Sequence, residues 1–103
     1  MRIIVLFNLR PDVAVADYEE WAVKTDIPIV NDLRSVKSFT VHKMDSVLGS
    51  DAAPPYQYIE VVDVADEALF GTEVAAETMQ RVAAEFQKLA DNPIFIKTSQ
   101  LGA

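Results

Sequence analysis

His42 is the only histidine in the chain, and so the one side chain whose ordinary pKa lies near neutrality. It sits in an alternating run, Ser35 to Met44, that reads as a strand with Val36, Ser38, Thr40 and His42 on one face. A loop of Gly, Ser, Asp and Pro follows over 45–55, and Tyr56 to Asp63 reads as the next strand. Pairing Met44 with Tyr56 across that loop puts His42 opposite Tyr58 and Thr40 opposite Glu60, roughly 4.5–5.5 Å apart at Cβ. A histidine, a phenol and a carboxylate on one half-buried sheet face have the means for proton transfer. His42, Tyr58 and Glu60 are therefore the expected catalytic groups. A solvated polar patch is the plainer alternative, and a slip of one residue in the register removes the cluster.

A second set has the character of a binding wall. Tyr18, Trp21 and Phe86 offer flat apolar surface to a planar ligand. Plain core packing at helical spacing accounts for the same three residues. Asn8 falls near the His42 end of the sheet. Asp26 is expected near the opposite end with Asp63 and Arg2, too far from His42 for a dyad within one subunit. Asn8, Tyr18, Trp21, Asp26 and Phe86 are the expected substrate-binding residues.

Composition removes other chemistries. There is no cysteine and one histidine, which rules out thiolate, iron–sulfur and multi-histidine zinc sites. No metal or cofactor is expected. Sixteen acids against nine bases leave a net charge of −7, unsuited to nucleic acid or an anionic membrane surface. No stretch approaches the roughly 18 apolar residues of a membrane span. The opening Met1–Phe7 looks like a secretion signal but is broken early by Asn8 and Arg10, so a cytoplasmic location is expected.

The elements that must position these residues follow from periodicity. Residues 2–9 are a strand apolar on both faces, ended by Arg10-Pro11-Asp12. Residues 14–26 are a helix with Tyr18, Trp21, Ala22 and Thr25 on one stripe, and Pro28 is expected to end it. Asp66 caps a short helical turn that Gly71 stops. A longer helix runs from about Val74 to Asp91, stopped by Asn92-Pro93, and Ile94 to Leu101 is the last strand. The order β-α-β-β-α-β is the ferredoxin-like split unit over one domain, 1–103, with an antiparallel sheet ordered 4-1-3-2 and helices on one face. The first and last strands are apolar on both faces, and nothing in the chain remains to cover the second. A homodimer packed sheet against sheet is expected.

The residues also resemble a family. Tyr18-Glu19-Glu20-Trp21 leading to Asp26-Ile27-Pro28 carries the likeness, with Ser35-Val36, Ser38-Phe39, Tyr58-Ile59-Glu60-Val61 and Phe70-Gly71. Met79-Gln80, Val82-Ala83, Phe86 and the run Ala90 to Ile96 complete it over nearly the whole chain. This pattern resembles the RedY-like (HapK) family. The resemblance implies a dimeric α+β barrel and a role in prodiginine pigment biosynthesis, in the branch that builds the methoxy-bipyrrole carbaldehyde. It implies no settled catalytic motif. Barrel relatives of the EthD type often carry His-x-Pro where this chain has Asp26-Ile27-Pro28. That departure removes a histidine-dependent role there and leaves Asp26 as a carboxylate base if it is buried. Three activities stay open. One is a cofactor-independent cyclase or condensation catalyst acting on an aromatic or pyrrolic intermediate. The others are a non-catalytic carrier or helper for other pathway enzymes, and a cofactor-free monooxygenase.

Overall fold

A computed structural model describes residues 1–102. Its elements are β1 (Arg2–Leu9), α1 (Val15–Trp21), a π-helical turn (Ala22–Asp26), α2 (Ile27–Asn31), β2 (Val36–Lys43), β3 (Tyr58–Val64), α3 (Glu67–Val74), α4 (Glu77–Leu89) and β4 (Ala90–Thr98). The four strands form one antiparallel sheet in the order β2-β3-β1-β4, the expected ferredoxin-like arrangement.

Alternation in β1 sorts the two faces. Val5, Phe7 and Leu9 are buried and pack with Tyr18, Ala22, Tyr58 and Phe86. A second cluster joins Val30, Val36, Phe39, Val62 and Val64, with Phe70 and Met79 against it. Both clusters lie between sheet and helices. On the other face Ile4 pairs with Val61 and Ile96, and Leu6 with Ile59 and Ile94. Those six residues belong to neither cluster, and Ile94 and Ile96 are exposed.

Several boundaries differ from expectation. Pro28 does not end the first helix. Helical structure continues to Asn31, because the wide turn before it tolerates the missing N–H: the Ile27 N–H already reaches back five residues to the Ala22 carbonyl. Gly71 lies inside α3, which Asp66 caps through a 3.0 Å bond from the Leu69 N–H. α4 ends at Leu89, before Asn92-Pro93. Those two residues sit in β4, where the pairing with β1 shifts between Leu6 and Asn8 and Asn92 takes φ 46°. An edge strand accepts a proline and a bulge that a central strand would not. Val36 turns inward with Phe39 rather than outward with His42, because β2 carries its own register shift between Val36 and Ser38.

Candidate functional site

A cavity of about 270 Å³ lies between the helices and the covered sheet face. Its wall is apolar, with Phe39, Phe70, Phe86 and Phe95 among the lining residues. Only Asp26, Glu60 and Gln87 bring polar side chains to it.

The wide turn accounts for Asp26. Tyr18, Ala22, Asp26 and Val30 are all buried, at a strict spacing of four. In a regular α-helix each step of four rotates about 40° off the starting line, so three steps would carry the last residue off the face. The π-helical turn takes up that drift and keeps one inward stripe. Asp26 therefore lies over the sheet beside Glu60, and not at the far end with Asp63 and Arg2. Glu60 stands at the middle of β3, opposite Val5 and Val41, on the same face as Tyr58 and Val62.

Each carboxyl is 5% exposed, and no basic side chain among the described residues pairs with either. The Glu60 Oε2 atom has no hydrogen-bond partner. Burial pushes the Asp26 carboxyl up to about 7. Burial, and then the charge of Asp26, push Glu60 up to about 8. Near neutral pH the pair thus holds a proton as readily as it releases one. Tyr18 is fully buried, and its hydroxyl also has no partner. Burial, reinforced by the charges of Glu60 and Asp26, keeps that phenol protonated.

Tyr58 points its hydroxyl the other way. It donates to Glu19 Oε2 at 2.6 Å, and Lys43 Nζ is 3.4 Å from the same oxygen. The Tyr58 hydroxyl and then Lys43 hold Glu19 below the usual carboxylate range. Burial, and then the bond to Glu19, raise the Tyr58 phenol. Tyr18, Glu19, Lys43 and Tyr58 border a smaller hollow of about 160 Å³.

His42 does not meet Tyr58 or Glu60. It pairs with Ile59, while Lys43 pairs with Tyr58 and Val41 with Glu60. The Met44 N–H bonds the Gln57 carbonyl at 2.8 Å, one residue away from the expected partner Tyr56. A slip of one residue sends every side chain to the other face. His42 is accordingly exposed on the helix-free face, with Nε2 3.1 Å from Thr40 Oγ1. The loop that precedes β3 is too long for a tight-turn rule to fix the register.

The sequence profile of the REDY-like protein HapK matches residues 1–101. The chain belongs to the RedY-like HapK family. The crystal structure of HapK from Hahella chejuensis is 30% identical, with coverage of 100% of this chain and 97% of that one and a TM-score of 0.68. A dabb family protein with a ferredoxin-like fold from Mesorhizobium loti is 18% identical over 98% of this chain and 96% of its own, at TM-score 0.74. A dimeric ferredoxin-like protein of unknown function from Thermobifida fusca is 20% identical over 92% and 85%, at TM-score 0.68. No curated protein sequence matches.

In this RedY-like chain the remaining expected residues have mixed placements. Phe86 is buried and lines the cavity. Trp21 lies outside it, stacked on Phe86 at 23° and 6.4 Å, its indole N–H donating to Glu85 Oε1 at 2.9 Å. Tyr18 packs on Phe7 and Tyr58 with ring centroids 5.5 and 4.8 Å away. Asn8 works as a latch: its Oδ1 accepts the Gln57 N–H at 2.9 Å, and Gln57 Oε1 accepts the Leu9 N–H at 2.6 Å. Sequence reasoning named Asp26 and Glu60 separately and missed that they meet. The available signal was an acid at an inward position of an apolar strand, which is costly to bury without a purpose.

Proposed function

We propose that this protein serves prodigiosin-type pigment biosynthesis in the methoxy-bipyrrole carbaldehyde branch. It holds a small aromatic or pyrrolic intermediate between sheet and helices and moves protons on it through Asp26 and Glu60. Membership of the RedY-like HapK family supports the pathway. The observation that carries the chemistry is the unpartnered Glu60 Oε2 beside Asp26 in an otherwise apolar cavity.

Two carboxyls that share a proton can work as acid and base at once. The ionised one takes a proton from a carbon next to a substrate carbonyl, while the protonated one gives a proton to the carbonyl oxygen. The result is the enol, with no net proton gained or lost. An enol is the nucleophile that a ring closure or condensation needs. The chain requires no cofactor for this step. In this reading it acts in the cytoplasm as a homodimer, with the helix-free face as the interface.

The test is complementation of a producer strain that lacks the gene for this protein, with Asp26→Asn and Glu60→Gln, alongside thermal melts. Each variant should fold and lower turnover by about 10²–10⁴-fold. Full pigment from both folded variants would refute the acid–base role and favour a carrier.

A further inference from the structure

We propose that the ligand accepted by the cavity is an apolar ring system carrying a protonated nitrogen. This rests on reading the cavity as the ligand site. The lining supplies acceptors without a positive charge to match them. Asp26 and Glu60 face the space, Glu60 Oε2 is buried and unpartnered, and the one other polar lining residue, Gln87, is uncharged. A buried carboxylate without a cation is costly, and an ammonium or iminium seated between the two removes that cost. The phenylalanines act in the same direction. Phe39, Phe70, Phe86 and Phe95 border the space, and aromatic ring faces attract a cation once it is desolvated.

The same features select against other ligands. A carboxylate ligand would bring a third negative charge to two that already resist ionisation. A neutral ring without an N–H or O–H donor would fit the walls but leave Glu60 Oε2 without a partner, and a neutral donor would satisfy that oxygen without compensating the charge. The volume of about 270 Å³ is roughly nine waters' worth, enough for a bicyclic ring with a one-carbon arm.

A cationic ligand must also displace protons. Burial resists ionisation of both carboxyls, the charge of Asp26 adds to it at Glu60, and the Tyr18 hydroxyl on α1 is a further titratable group within their field. β1, β2 and α3 present Ile3, Val5, Phe39 and Phe70 to the cavity, and α4 presents Met79, Val82, Ala83, Phe86 and Gln87 but neither Arg81 nor Glu85, so none of these lining residues is titratable. A cation stabilises the ionised pair, so protons held near pH 7 leave as it binds.

The experiment is isothermal titration of the full chain at pH 7 with 1-naphthylmethylammonium, 1-naphthylmethanol and 1-naphthoate, in two buffers of different ionisation enthalpy. The ammonium should bind at least about tenfold more tightly than the alcohol, and the naphthoate more weakly than either. Ammonium binding should release protons to the buffer, and alcohol binding should not. In the doubly substituted Asp26→Asn, Glu60→Gln protein the ammonium preference should shrink to within about twofold. Equal binding of ammonium and alcohol by the unsubstituted protein overturns the inference, as does binding of none of the three. The comparison on the unsubstituted chain decides the matter even if the double variant does not fold. Loss of pigment in the single variants without an ammonium preference would retain the acid–base role and reject the cationic ligand.

Discussion

Burying a carboxyl costs free energy, and Asp26 and Glu60 reduce that cost by staying protonated. The consequence for stability has a definite sign. Both folded-state pKa values are raised, to about 7 and about 8, so the folded chain binds more protons than the unfolded one between about pH 4 and 8. Stability contributed by these groups is full below the unfolded pKa and falls as pH rises through the folded values. Each group contributes a slope of at most about 1.4 kcal/mol per pH unit. Urea melts of Glu60→Gln should show a shallower decline across pH 5–8 than the parent, and greater stability than the parent at pH 8. A parallel decline in both proteins would contradict the assignment. His42 makes the opposite case. It lies across the sheet from the cavity, so His42→Ala should leave pigment formation within about twofold of the parent. A loss of a hundredfold in a folded His42→Ala protein would return the site to the helix-free face. That Glu60 faces inward follows from the alternation Tyr58, Glu60, Val62. That His42 does not share its face was beyond the sequence, because nothing local in 45–57 fixes which residue Met44 pairs with.

At the scale of elements, the wide turn at Ala22–Asp26 links backbone to chemistry. It keeps Tyr18, Ala22, Asp26 and Val30 on one line and lets Pro28 follow without breaking the helix. Pro28 alone pointed to a stop, since rules for regular helices contain no five-residue backbone bond. Asn92-Pro93 misled in a similar way: the helix ends earlier, and the pair forms a bulge on an edge strand. The four strands and the amphipathic stripe of α4 were legible, because burial imposes their periods of 2 and 3.6 directly. The cavity roof depends on α1 staying against α4, where Trp21 stacks on Phe86 and bonds Glu85. Trp21→Phe keeps the ring contact and removes the bond. It should cost about 0.5–1.5 kcal/mol in denaturant melts, with the carboxyl pKa values unchanged. A neutral effect would mean that the bond does not couple the two helices.

Over the whole molecule, the two sheet faces have different fates. Helices bury one, while Ile4, Leu6, Ile59, Val61, Ile94 and Ile96 make a continuous apolar patch on the other. No helix among the described residues is long and apolar enough to cross a membrane. A second copy is the occupant we expect, burying on the order of 1,500 Å² in total. Sedimentation at low micromolar concentration should show a dimer, and Ile4→Lys should shift it towards monomer by placing a charge at the centre of that patch, between Val61 and Ile96. A parent protein that sediments as a stable monomer would exclude sheet-to-sheet pairing. This arrangement leaves the cavity on the far side of each sheet, so each copy would carry its own carboxyl pair.

The most direct test of the account is a pH titration of the side-chain carboxyl carbons of Asp26 and Glu60 by ¹³C NMR, with Asp26→Asn and Glu60→Gln for assignment. Two coupled steps are expected between about pH 6 and 9, with a lower midpoint for Glu60 once the charge of Asp26 is removed. Independent titration of both carboxyls near their ordinary values, about 4, would show that they do not form a proton-sharing pair.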